Sequence, residues 1–381
     1  MFRWQSAVGM VLGLAAGLFV VSLASTGRRT TPPAGPILSE CDGTLRELVI
    51  QYEPSARDMV TPVYRGFLRA LDAGVIVHVV CPNRAAFTEL ESSVGPVRCR
   101  LRPLLVGHPM TTWSRDRWVA LSPALAGSPT TLWSPRAEAG SEIWPARAGD
   151  QRLGADIAAA LGPSVVARRS SLYFDGGDFL ADSDCVFVVP HVLQRNLQHA
   201  VAGRDELLKI LTREFQRRVV LLDESPDHHA GMFMASVGHK TMLVGDASLG
   251  RQFLPLDMTP AACPATDAPD EPPFEPDFSE QTQRRLDAVA RQCSGAGYRV
   301  IRIPLVPGRD GKTYLTYANV ILDQRADRRF VYLPFYRGAE RLNAAARAVW
   351  EGLGYEVRPV DCTTVFRHFG CLHCLVNVLV R

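Results

Sequence analysis

The chain has 381 residues, 47% hydrophobic and 21% charged, with 42 basic against 39 acidic residues and a net charge of +3. That is globular composition with ample apolar content for a core, and the length suits one large repeat-built domain as well as two or three smaller ones. The near balance of charge gives no support to a nucleic-acid partner, which would call for a basic patch or stripe.

The chain opens with Arg3 and an uncharged apolar run from Val8 to Ala24. Ser22-Leu23-Ala24 has the small-x-small form of a signal-peptidase site, while Arg28 and Arg29 behind the run suit an uncleaved anchor. Residues 1–24 are therefore expected to be a signal peptide or membrane anchor, which would place the rest of the chain outside the cytoplasm. Any membrane contact is expected through this segment alone. Thr30 to Pro36 is rich in Pro and Gly, and residues 25–44 read as a linker to a folded part beginning at Leu45.

From Leu45 a strand–helix–strand grammar recurs. Leu45 to Tyr52 reads as a strand. Pro62 to Leu71 reads as a helix stopped by Gly74, and Val75 to Val80 as a buried strand closed by Pro82. Ala85 to Val94 is a second helix, and Val97 to Leu105 leads into Trp113-Ser114-Arg115-Asp116. A β-ribbon is expected over Tyr173 to Val189. A helix over Asp205 to Phe215 follows, then a strand over Val219 to Leu222 and a ribbon segment over Lys240 to Val244. Met258 to Asp277 holds six prolines and several acids and reads as a surface insertion. Asp277 with Glu280 has the form of a capping box for a helix through Leu286, Val289 and Cys293, ended by Gly295 and Gly297. Tyr298 to Leu305, Leu315 to Leu322, Phe330 to Phe335 and Tyr355 to Val360 are strand-like, and Ala339 to Leu353 is a helix. Alternating strands and helices predict an α/β fold.

Four motifs carry chemistry-bearing side chains: Trp113-Ser114-Arg115-Asp116, Asp175-Gly176-Gly177-Asp178, His228-His229-Ala230-Gly231-Met232-Phe233 and Gly370-Cys371-Leu372-His373-Cys374. Singly, each has a plain reading: an ion-paired turn, a hairpin turn, a surface histidine, a core cysteine at a strand start. Together they supply two carboxylates, an imidazole and a thiol. Those groups suit covalent chemistry on a cationic amidine: carboxylates hold positive charge, histidine moves protons, and cysteine attacks carbon. The indole of Trp113 offers a face that attracts guanidinium. Cys371 and Cys374 also form a C-x-x-C pair, which alone would suit a redox dithiol or half a zinc site. The nine cysteines are odd in number, so in an exported chain at least one thiol is unpaired.

The ordered set resembles the guanidino-group-modifying superfamily, most closely the agmatine deiminases and peptidylarginine deiminases. Trp113, Arg115 and Asp116 match W-x-R-D; Asp175-Gly176-Gly177 stands at E-G-G; His229 and Phe233 match H-x-D-x-F; Gly370, His373 and Cys374 match G-x-x-H-C. Arg195-Asn196 and Tyr317-x-Asn319 resemble intervening signatures, and the likeness runs from Leu45 to the C-terminus. It implies a pentein fold, a five-bladed αβ propeller of ββαβ units. It implies Cys374 as nucleophile, Asp116 as guanidinium ligand, His229 as proton shuttle and Asp175 as the group orienting His229. Trp113, Arg115, Asp178 and Asn319 are expected to line the substrate. The expected partner is a small guanidino compound or an arginine side chain, turned into a ureido group and ammonia, with no cofactor and no metal. Gly231 departs from the family: a second guanidinium-binding aspartate stands there in the H-x-D pattern. A guanidino- or amine-binding protein of the same fold, without turnover, is the alternative.

Overall fold

The computed structural model describes residues 34–139, 147–254 and 274–381. The apolar run 8–24 and most of the insertion expected over 258–277 lie outside these residues. No described helix is long and apolar enough to cross a membrane.

The chain enters through β1 (Ala34–Ile37), which pairs antiparallel with a later strand. It continues through β2 (Glu47–Gln51), α1 (Arg57–Ala70), β3 (Ile76–Cys81), α2 (Arg84–Val94) and β4 (Arg100–Leu105). β2, β3 and β4 are parallel neighbours, as expected where helices cross over between strands. Next come β5 (Val119–Pro123), β6 (Thr130–Ser134), α3 (Leu153–Leu161) and β7 (Val165–Arg169). β5 and β6 form an antiparallel hairpin, and β7 returns through α3 to lie parallel to β6.

The same unit recurs. β8 (Phe179–Ala181) and β9 (Cys185–Val188) are antiparallel; α4 (His191–Asn196) and α5 (Arg204–Phe215) lead to β10 (Arg218–Leu221), parallel to β9. β11 (Met234–Gly238) and β12 (Thr241–Asp246) precede α6 (Ala247–Phe253), α7 (Glu280–Gly295) and the parallel β13 (Arg299–Pro304). A short ribbon, β14 (Val306–Pro307) with β15 (Tyr314–Leu315), precedes β16 (Ile321–Gln324), β17 (Arg329–Phe335), α8 (Glu340–Gly352) and β18 (Glu356–Asp361). β16 is antiparallel and β18 parallel to β17. Finally α9 (Leu372–Leu375) leads into β19 (Val376–Val380), which pairs antiparallel with β2 and completes the first sheet as β19-β2-β3-β4. The fold is mixed α/β, and among the described residues four sheets share this hairpin–helix–parallel-strand plan, while the first takes its antiparallel strand, β19, from the far end of the chain.

The expected linker over 25–44 is corrected in its second half. Residues 34–37 are a strand, and Ile37 and Cys41 are buried, because hydrogen bonding to β5 and apolar contacts hold them in the fold. The capping box at Asp277 is also corrected. Ser279 is the N-cap of α7, accepting from the Thr282 N–H, while Asp277 accepts from Ser279 N–H and the Thr282 hydroxyl one step earlier. α1 starts at Arg57, with Pro62 inside it rather than at its head. The expected ribbon over 315–322 is interrupted: 316–320 form an irregular loop between β15 and β16, and this loop carries Asn319.

Candidate active site

The four motifs converge at the ends of strands. Asp116 follows β4 in the loop before β5, Asp175 and Asp178 form the turn into β8, His229 caps the turn into β11, and Cys374 sits in α9 just before β19. The Asp175 turn is docked by its backbone, since Gly176 N–H donates to the Asp116 carbonyl at 2.7 Å. Gly177 lies against the imidazole: a Cβ there would stand 2.5 Å from His229 Nδ1, so only glycine lets turn and ring meet. Gly370 likewise abuts the Trp113 indole, where a Cβ would fall 2.4 Å from the ring.

His229 is surrounded by carboxylates. Its Nδ1 is 4.0 Å from Asp116 Oδ1, and its Nε2 is 3.9 Å from Asp175 Oδ2 and 3.8 Å from Asp178 Oδ1. These exceed hydrogen-bond length, so the attraction is electrostatic across a short gap. Burial pushes the imidazole pKa down, but Asp175, Cys374, Asp116 and Asp178 outweigh it and hold it well above the usual histidine value. These neighbours favour the charged imidazolium. Its neighbour His228 is pushed down to about 4 by burial and by the charge on His229, and its Nε2 contacts the Phe369 carbonyl.

The Cys374 thiol sits among soft and polar neighbours. Asn319 Nδ2 is 3.5 Å from Cys374 Sγ, and Met232 Sδ is 3.9 Å away. The Asn319 carboxamide oxygen accepts from His373 N–H at 2.7 Å, which fixes α9 against the loop before β16. Cys371, three residues earlier, has different company: its Sγ is 3.3 Å from the Tyr336 hydroxyl. The C-x-x-C pair therefore serves two separate environments.

The carboxylates carry more cation than the motifs alone suggest. Asp116 Oδ2 is paired with Arg147 Nη2, while Asp116 Oδ1 is buried with no hydrogen-bond partner. Arg195 donates to Asp175 at 3.2 Å and to Glu138 at 3.2 Å, and Arg117 donates to Glu138 at 3.3 Å. Burial raises the Asp175 carboxyl, but His229, Arg147 and Arg195 overcome it and hold it well below the usual carboxylate value.

Of the eight residues expected in the site, Cys374, His229, Asp116 and Asp175 come together. Asn319 reaches the thiol and supports it. Trp113 lines a cavity of about 860 Å³ beside the site, with Met59, Met110, Phe274 and Phe369. Two expectations are corrected. The Arg115 guanidinium is taken up by Glu40, by Asn377 Oδ1 at 3.3 Å and by the Phe179 carbonyl at 3.2 Å, so it joins chain segments instead of facing a substrate. Asp178 is fully buried, bound to His191 Nε2 at 2.7 Å and to Asp175 N–H at 2.8 Å, so it builds the turn. The motifs did not point to Glu138, Arg147 or Asp150. Arg117 could have been read, since it directly follows Asp116. Arg147 lies in Pro145-Ala146-Arg147-Ala148-Gly149, which carries no periodicity.

Gly231 lies in the turn after His229. A Cβ there would stand 3.2 Å from His373 Nδ1 and 3.3 Å from Asn319 Nδ2, and the backbone is not in the left-handed region. The position faces the cysteine side of the site, without backbone strain.

No family model matches the chain, and no curated protein matches it in sequence. Solved structures do match. An agmatine deiminase of C. jejuni superposes with a TM-score of 0.64 at 13% identity, over 91% of this chain and 96% of that one. An agmatine deiminase of Enterococcus faecalis gives 0.65 at 12% identity, over 90% and 95%. A protein of Porphyromonas gingivalis that carries the name arginine deiminase gives 0.65 at 18% identity, over 90% and 97%. The chain therefore has the mixed α/β fold found in agmatine deiminases.

Proposed function

We propose that the chain is a deiminase-type hydrolase that converts a guanidino group to a ureido group and ammonia, with its four hairpin–helix–strand units and the β19-β2-β3-β4 sheet as the blades of a five-bladed propeller around the site. The observation that carries this reading is the buried His229 set between Asp116, Asp175 and the Cys374 thiol. A guanidinium carbon held by Asp116 is attacked by the Cys374 thiolate. The His229 imidazolium gives its proton to the departing nitrogen, the C–N bond breaks, and ammonia leaves a thiouronium on Cys374. The imidazole, now neutral, takes a proton from water as that water attacks the same carbon. Collapse expels the thiolate and releases the ureido product. Asp175, held ionised, keeps His229 oriented and charged.

Agmatine and peptidyl arginine are the substrate classes this reading names, as the matching structures carry the names of agmatine and arginine deiminases. We place the catalytic part outside the cytoplasm or anchored at its membrane, on the strength of the apolar run Val8 to Ala24. Ammonia release and ureido-product formation on agmatine, free arginine and an arginyl peptide test the reading, and no product from any of them in the folded protein contradicts it. A second reading, a guanidino-binding protein without turnover, draws on Gly231 in place of a second carboxylate.

A further inference from the structure

Asp116, the carboxylate proposed to hold a substrate guanidinium, already holds one. Arg147 Nη2 pairs directly with Asp116 Oδ2, lies 3.9 Å from Asp175 Oδ1, and its Nε lies 3.7 Å from Asp150 Oδ2. Asp116, Asp175 and Asp150 outweigh burial and strengthen the hold of Arg147 on its proton. The pairing uses one Asp116 oxygen and leaves the other buried, without a hydrogen bond, 4.0 Å from His229 Nδ1. The nearby Arg117 has a side chain only 4% exposed and is bound to Glu138, whereas the Arg147 side chain is 21% exposed. Arg147 and Arg195, whose side chain is 31% exposed, both keep an edge open to water, and of the two it is Arg147 that pairs with Asp116.

We propose that Arg147 is a specificity-determining residue that occupies Asp116 in competition with substrate, so that a guanidino ligand binds Asp116 by displacing an arginine of the chain itself. This rests on Asp116 being the guanidinium ligand. The physical reason is identity of charge and shape: Arg147 presents the same planar cation as the ligand to the same carboxylate, and one carboxylate makes a paired contact with one guanidinium at a time. Apparent affinity is then the intrinsic affinity reduced by the fraction of molecules in which Asp116 is vacated. The same factor weakens every ligand that must displace Arg147, so a bare guanidinium falls below useful affinity first, while ligands with further contacts from the rest of the molecule still bind.

Two measurements test this without requiring turnover. In the first, agmatine and guanidinium chloride are titrated calorimetrically into C374S and into C374S/R147Q. Glutamine keeps much of the side-chain volume but removes the charge, and the expected result is affinity tighter by about ten-fold or more, the worth of one charge-assisted hydrogen bond. Unchanged or weaker binding in the folded double variant overturns the proposal; weaker binding would mean that Arg147 itself holds a ligand group. In the second, Arg147→Ala is melted with and without low concentrations of guanidinium chloride, with ammonium chloride as the matched control. A guanidinium-specific rise in melting temperature, absent in the wild type, is expected because the ion refills the vacated position on Asp116. No such difference overturns the proposal. Absence of product from the wild-type protein would instead strike the deiminase reading and leave both measurements intact.

Discussion

At the scale of single residues, the charged state of His229 sets the expected pH behaviour. Its pKa is raised in the folded protein, so the proton needed by the leaving nitrogen is lost only as pH rises through that raised value. The stability that His229 draws from its carboxylates is likewise complete below the ordinary histidine pKa of about 6.5 and disappears on the alkaline side. Asp175 has the opposite sign: its contribution is present above about 3.9 and is lost as pH falls through its lowered value. Asp175→Asn removes a charge facing His229 and should shift the alkaline limb of the pH–rate profile to lower pH; an unmoved limb would separate Asp175 from proton transfer. Cys374→Ser should abolish turnover, because a hydroxyl is far less ionised than a thiol, whereas Cys371→Ser should retain it, since Cys371 contacts Tyr336 away from Asn319 and Met232. Equal loss in both variants would favour a dithiol function. Gly231→Asp should tighten small-guanidine binding by about ten-fold, as a second carboxylate completes the clamp. His373 and Asn319 must yield by a few tenths of an ångström to admit it. A folded variant with unchanged affinity would show that position 231 does not meet the ligand.

At the scale of elements, Asp116, Asp175, His229 and Cys374 were legible because each carries reactive chemistry in a short ordered motif. Arg147 and Glu138 were not, because their roles arise only when distant loops meet. The unit made by β5, β6, α3 and β7 was also missed. Its strands are short and mix Thr, Ser and Arg with apolar residues, as in Thr130–Ser134 and Val165–Arg169, so they give little alternation to read. β1 reads as linker in the sequence because Pro and Gly surround it, while its pairing with β5 is a tertiary fact. A protein starting at Leu45 should therefore melt well below one starting at Ala34. It loses Ile37, Cys41 and Glu40, and the loss of Glu40 removes the ion-pair partner of the nearly buried Arg115. Breaking such a pair costs about 3–5 kcal/mol. Equal melting temperatures would assign β1 no part in holding the fold. Gly177→Ala should impair turnover as well as lower stability, since its Cβ would strike the His229 ring.

At the scale of the whole molecule, the α/β alternation read from the sequence is present, but the sheet that Cys374 leads into draws on both early and late parts of the described chain. β19, the last strand, pairs with β2, and the Cys374 carbonyl accepts from Arg115 N–H at 3.2 Å, so the position of the thiol depends on a contact between residues far apart in sequence. Local patterning cannot announce such a pairing, whereas the motifs reveal its consequence by placing a cysteine just before the final strand. The most direct test of the central claim is covalent. Wild-type protein is mixed with agmatine or an arginyl peptide, quenched in acid within the first turnovers, and the intact mass is measured alongside released ammonia and ureido product. The account predicts a transient adduct on Cys374 equal to the substrate less ammonia, absent in C374S, together with stoichiometric ammonia and ureido product. Product formed equally by C374S, or a folded protein that yields neither adduct nor product with any guanidino substrate, would contradict it.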